Sequence, residues 1–219
     1  MRNAYFDQLD AIVADLVAMT RDVQLSVSHA THALLTPDAH VADQVIAGDA
    51  KIDAMRELVE DRCFELLALQ QPVAGDLRML VAALRMVTDL ERMGDLSVHV
   101  AKVAQLRMPA VAVPDEMIPT MKRMAEVAVS MVGAAAEVIE ERDVAAARVL
   151  ERDDEEMDEL RRRSFRTMLG DSWAHGVEPA IDIALLGRYY ERIADHAVSL
   201  ARRVVYLVTG EAPTAEINA

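Results

Sequence analysis

Two seven-residue segments one hundred positions apart share a single pattern: Asp89-Leu90-Glu91-Arg92-Met93-Gly94-Asp95 and Tyr189-Tyr190-Glu191-Arg192-Ile193-Ala194-Asp195. In each, a Glu and an Asp four residues apart project from one face of a helix, about one turn from each other. The recurrence identifies an internal duplication, so the chain is restricted to folds that two similar halves can build. It also places carboxylates at equivalent points of both halves.

Helical periodicity runs through both halves with few interruptions. The apolar content of 53% comes mostly from Ala, Val, Leu and Met, aromatic residues reach only 4%, and there are 8 glycines in 219 residues. Such a composition favours helix. Thr36-Pro37-Asp38 offers an N-cap Thr with Pro at the first helical position, and Pro72 makes the next break. The segment 107–114 carries Pro109 and Pro114 and reads as the linker between halves, while Glu141-Arg142-Asp143 and the stretch from Gly170 to Gly176 mark two further turns. Six helices follow, near 4–35, 38–70, 73–106, 115–140, 143–169 and 177–209. Short connections make sequential helices antiparallel neighbours. The expected fold is all-α, two tandem antiparallel three-helix bundles over residues 1–108 and 115–210, with a polar tail fraying from Gly210.

A formal charge of −14 argues against direct nucleic-acid binding and toward cations or basic protein surfaces. Cys63 is the single cysteine, which excludes a disulfide framework or a cysteine metal site and fits a reducing cytoplasm. The first residues lack the apolar core of a signal peptide, and no uncharged apolar run reaches roughly 18 residues. A cytoplasmic protein with no membrane insertion is expected.

Eleven Asp/Glu pairs stand four apart, against about six expected by chance for so acidic a chain. Position on the helix therefore matters more than spacing. A heptad register through Leu77, Val81, Leu84, Thr88, Glu91, Asp95 and Val98 puts both first-half carboxylates on a stripe facing the bundle partners. The matching register, Val177, Ile181, Ala184, Arg188, Glu191, Asp195 and Val198, does the same in the second half. The preceding helices contribute aligned pairs, Asp49 with Asp53 and Asp154 with Asp158. Inward carboxylates need compensation, either by a shared cation or by arginine. Arg188, three residues before Glu191, can supply the second, whereas the first half has neutral Thr88 there and His99 four beyond Asp95. The spacing leaves open a metal site, salt-bridged carboxylates or a solvated acidic groove.

His29, His32 and His40 read as solvated, and the Met residues as core filler. No His has a Glu three positions before it, so a ferritin-like di-iron pattern is absent, and no catalytic constellation stands out.

The run Leu67-Ala68-Leu69-Gln70-Gln71-Pro72-Val73-Ala74-Gly75-Asp76-Leu77-Arg78, followed by the motif at 89–95 and preceded by Asp49-Ala50-Lys51-Ile52-Asp53, closely resembles the PhoU family. The resemblance covers nearly the whole chain. It implies metal ions on a surface of each bundle, held by Asp49, Asp53, Glu91 and Asp95 in one half and Asp154, Asp158, Glu191 and Asp195 in the other. Divalent or trivalent ions such as iron, zinc, manganese or magnesium suit such oxygen ligands. It also implies a non-enzymatic negative regulator linking the ATPase subunit of a phosphate ABC transporter to a sensor histidine kinase, with a homodimer expected. Ala194 in place of Gly94, together with Arg188, departs from the pattern in the second half. A metal-dependent hydrolase, a cation-storing bundle and a salt-bridged structural bundle are the rival readings.

Overall fold

The computed structural model describes residues 2–150 and 154–211, with side chains over 5–150 and 155–211, and all its regular structure is helical. Helices α1 (Arg2–Leu35), α2 (Ala39–Gln70) and α3 (Ala74–Arg107) form the first bundle. Helices α4 (Ile118–Glu141), α5 (Val144–Leu150), α6 (Asp154–Met168) and α7 (Val177–Thr209) form the second. The predicted fifth helix corresponds to α5 and α6, described on either side of residues 151–153, which lie outside the described residues, as does most of the tail beyond Gly210.

Local chemistry sets the boundaries. Helix α2 is capped by Asp38, whose carboxylate accepts the Val41 N–H at 3.1 Å. Thr36, the expected cap, instead donates its hydroxyl to the His32 carbonyl at 2.7 Å and stays with α1. The stronger acceptor two residues on takes the capping position. Helix α2 stops where Gln71 enters the left-handed region at φ 46°, and Arg142 ends α4 likewise at φ 54°.

Helices α1, α3, α7 and α4 pack in a closed ring, with α2 outside on α1 and α3, and α5 and α6 outside on α4 and α7. The pairs that join the halves are equivalent helices: α1 with α4, and α3 with α7. Asp89 meets Ser199, His99 stacks on Tyr189, and Arg107 pairs with Asp182, so α3 and α7 run antiparallel. That register puts the 91–95 turn level with the 191–195 turn, and the two motifs sit back to back on opposite outer seams. Across α1 and α4, the Gln24 amide donates to the Val129 carbonyl at 3.1 Å. The same amide lies over Gly133, where any Cβ would collide with it.

Buried apolar residues form one contiguous cluster across both halves. Ten of the thirteen Met residues are in it, including Met19, Met93, Met121 and Met124, so methionine is core filler here. Each fully buried Leu or Met contributes roughly 1.5–3 kcal/mol of transfer free energy. His29, His32 and His40 are exposed. Among the described residues, no helix is long and apolar enough to cross a membrane.

The expected inward stripes are displaced. Leu77 is 41% exposed, Val177 75% and Ile181 53%. The buried face of α3 instead runs through Leu80, Val87, Leu90, Gly94 and Ala101. Because α3 packs on α1, α2 and α7, its apolar surface is wide enough to satisfy several heptad registers. The register through Glu91 and Asp95 is the margin of that surface along the α2 seam.

Candidate functional site

The first cluster forms where α2 and α3 pack antiparallel. Asp49 is half-buried and Asp53 exposed on α2, with Glu91 and Asp95 partly buried on α3. The Asp49 carboxyl is held above the usual aspartate range, first by burial and then by the charges of Asp95, Asp53 and Glu91, while Lys102 pulls the other way. The three other predicted carboxylates of this half are therefore within electrostatic reach of Asp49. The exposed Arg92 guanidinium spans the α3 pair, 3.5 Å from Glu91 and 3.1 Å from Asp95. Such exposed pairs contribute about 0–1 kcal/mol and yield readily to a stronger cation. Among the described residues no three Asp, Glu, His or Cys groups already converge in a metal-holding arrangement. Thr88 is turned away, its hydroxyl donating to the Leu84 carbonyl at 3.2 Å. His99 does not join the cluster either: its ring stacks on Tyr189 of α7 with centroids 5.4 Å apart.

In the second half, Glu191 is only 8% exposed and two arginines hold it. Arg161 of α6 donates to its Oε1 at 3.2 Å, and Arg188 Nη1 stands 2.8 Å from its Oε2. The Arg188–Glu191 pair is the one expected from sequence. Asp195 is exposed at the surface, yet the protein packed around its carboxyl raises its pKa, with Glu191 and Asp158 adding to the shift and Arg188 and His196 opposing it. Asp158 is thus in reach of the pair, whereas the side chain of Asp154 lies outside the described residues.

Sequence reasoning missed Arg161, and the signal was available. The alignment that pairs Asp49 with Asp154 and Asp53 with Asp158 also pairs Arg56 with Arg161 and Glu60 with Phe165. Arg56 bonds to Glu60 at 3.4 Å on its own helix, while Arg161 lies over the Phe165 ring, 5.5 Å from its centroid, and reaches Glu191.

A second polar set went unrecognised. Asp89, 8% exposed, faces His196 Nδ1 at 3.1 Å and accepts from Ser199 Oγ at 3.0 Å and Arg203 Nε at 2.8 Å. Burial, the largest single influence, would raise its pKa, but the bonds from His196 and Arg203 outweigh it and hold the carboxyl below the usual range. Asp89 fastens α3 to α7 behind the first cluster. Cys63 is buried and its thiol is pushed up to about 12, so it is inert at neutral pH.

These features define a class: a duplicated helical-bundle protein carrying an acidic seam on each half. The chain belongs to the PhoU family, whose model, described as the PhoU domain, matches it twice, over residues 16–104 and 121–204. It is 43% identical over 213 residues to the phosphate-specific transport system accessory protein PhoU homolog 2 of Mycobacterium tuberculosis, covering 97% of this chain and 100% of that one. With a PhoU homolog of Aquifex aeolicus the identity is 34% over 210 residues, covering 94% and 93%. The crystal structure of PhoU from Pseudomonas aeruginosa matches with a TM-score of 0.83 at 29% identity, over 94% of this chain and 100% of that one. A phosphate transport system regulatory protein PhoU from Streptococcus pneumoniae gives 0.85 at 25%, over 95% and 99%.

Proposed function

We propose that the protein is a non-enzymatic cytoplasmic regulator of phosphate uptake and phosphate-starvation signalling. The observation that carries this reading is near full-length similarity to proteins named as accessories of the phosphate-specific transport system. In this role the chain is an adaptor, acting as a homodimer. It contacts the ATPase subunit of the phosphate ABC transporter and a sensor histidine kinase, and keeps the starvation response off when phosphate is plentiful. A charge of −14 speeds encounter with basic partner surfaces, an effect that weakens with added salt.

A divalent or trivalent cation belongs to this reading in the first half. Asp49 is lifted first by burial and then by the charges of Asp95, Asp53 and Glu91, and that second, repulsive part supports the fit, since a cation between α2 and α3 relieves it. Asp49, Asp53, Glu91 and Asp95 would hold the ion, which supplies positive charge tying the α2–α3 hairpin together. In the second half Arg161 and Arg188 stand against Glu191 instead, while burial and the charges of Glu191 and Asp158 still raise the Asp195 carboxyl.

Deleting the gene, together with any second copy, is expected to leave starvation genes active in phosphate-rich medium. Normal repression in that strain would overturn the regulatory reading. Elemental analysis of protein purified without added metal tests the cation separately: metal is expected in the wild type and lost from Asp49→Asn/Asp95→Asn.

A further inference from the structure

We propose that the second half sets two arginines on Glu191 where the first half takes a cation, so that metal enters the α2–α3 seam and not the α6–α7 seam. The proposal rests on the cation reading of the first half for its contrast, though not for its own test.

Two exchanges between equivalent positions produce the difference. Where the first half has Glu60, which holds Arg56 at 3.4 Å, the second has Phe165. With no carboxylate on its own helix at that point, Arg161 lies against the Phe165 ring and turns to Glu191 at 3.2 Å. Where the first half has Thr88, the second has Arg188, with its Nη1 2.8 Å from the other Glu191 oxygen. The side chain of Glu191 is accordingly buried to 10% exposure, against 21% for Glu91. A carboxylate that far out of water needs an opposite charge in contact with it. Two guanidinium groups deliver the nominal charge of a divalent ion, Arg161 through a hydrogen bond to Oε1 and Arg188 through its charge alone, since Oε2 accepts no hydrogen bond. A metal ion taking Glu191 as a ligand would have to displace both arginines and then sit beside them, where like charges repel. Binding of a cation would therefore reshape the α2–α3 seam and leave the α6–α7 seam unchanged.

Manganese(II) is a suitable probe, read by equilibrium dialysis. With the first cluster removed by Asp49→Asn/Asp95→Asn, no Mn2+ is expected to bind at concentrations that load the wild type. Retention of Mn2+ by that variant would overturn the proposal. A melting cycle tests the arginines without metal. In chelator, Arg161→Gln/Arg188→Thr is expected to lower the melting temperature on the order of 10 °C, with most of the loss restored by adding Glu191→Gln. No loss, or a loss that Glu191→Gln leaves unrestored, would overturn it. A wild-type chain that takes up no Mn2+ would count against the first-half cation reading alone, leaving the melting cycle to decide this one.

Discussion

Gly94 and Asp49 meet where α3 packs against α2: a Cβ on Gly94 would stand 3.2 Å from Asp49 Oδ1, and 3.0 Å from Ile52 Cδ1. The missing side chain lets the Asp49 carboxyl settle against α3, within reach of the Glu91 and Asp95 charges. At the equivalent position Ala194 is fully buried.

Gly94→Ala sets two effects against each other. Replacing a mid-helix glycine by alanine gains about 1 kcal/mol of helix propensity. The new methyl must push aside Ile52, itself 4% exposed, and Asp49. Ile52 Cδ1 and Asp49 Oδ1 are side-chain ends that can shift, whereas Ile52 Cγ2, at 3.3 Å, gives way only with the helix, and this offsets the propensity gain, so stability in urea melts is expected to stay within about 1 kcal/mol of wild type. Mn2+ affinity should nonetheless drop roughly tenfold, equivalent to about 1.4 kcal/mol, as Asp49 is displaced. Unaltered affinity would show that the close approach serves packing only.

Asp49→Asn should stabilise the metal-free protein near neutral pH. The folded chain raises the Asp49 pKa, so the protonated form is the one that folding favours. Stability from this group is complete below the ordinary aspartate value and is lost as pH rises through the elevated folded value. At neutral pH the charged carboxyl is therefore a net cost. Removing it gains at least the roughly 0.2–0.5 kcal/mol of its like-charged neighbour Asp53, one turn along α2. Chelator-treated protein compared by denaturant melts across pH 4–8 checks this; equal stabilities throughout would refute it.

Asp89→Asn should have the opposite sign. Its depressed pKa means that the charged form is favoured by folding, so its contribution is complete above the ordinary aspartate value. That contribution disappears as pH falls through the lower, folded value. Loss of the charged acceptor for Arg203 and His196 is expected to cost about 2–3 kcal/mol at pH 7. The wild-type and variant stabilities should converge as the pH falls below the ordinary aspartate value and through the lowered folded one, and a difference that stays constant with pH would assign the loss to shape rather than charge.

The helices were legible in the sequence because their causes are local. Proline and glycine at the turns, and apolar spacing between them, placed α3 and α7 to within a residue or so of the observed ends. Where two local signals competed, as at Thr36 and Asp38, the side chain better able to accept the N–H prevailed. The Arg188–Glu191 pair was legible for the same reason, being separated by a single helical turn.

Arg161 on Glu191 and His196, Ser199 and Arg203 around Asp89 were not legible, because these partners come from different helices. Periodicity says which residues share a face, but not which neighbouring helix that face meets. A wide apolar surface on α3 made the heptad through Leu77 and Glu91 as acceptable as the truly buried one through Leu80 and Leu90. By itself, then, the sequence determined a duplicated all-helical chain with carboxylates at matched positions. Only the packing of α2 on α3 and of α6 on α7 decided how those carboxylates are balanced, since charge compensation depends on distances across a seam that no local pattern encodes.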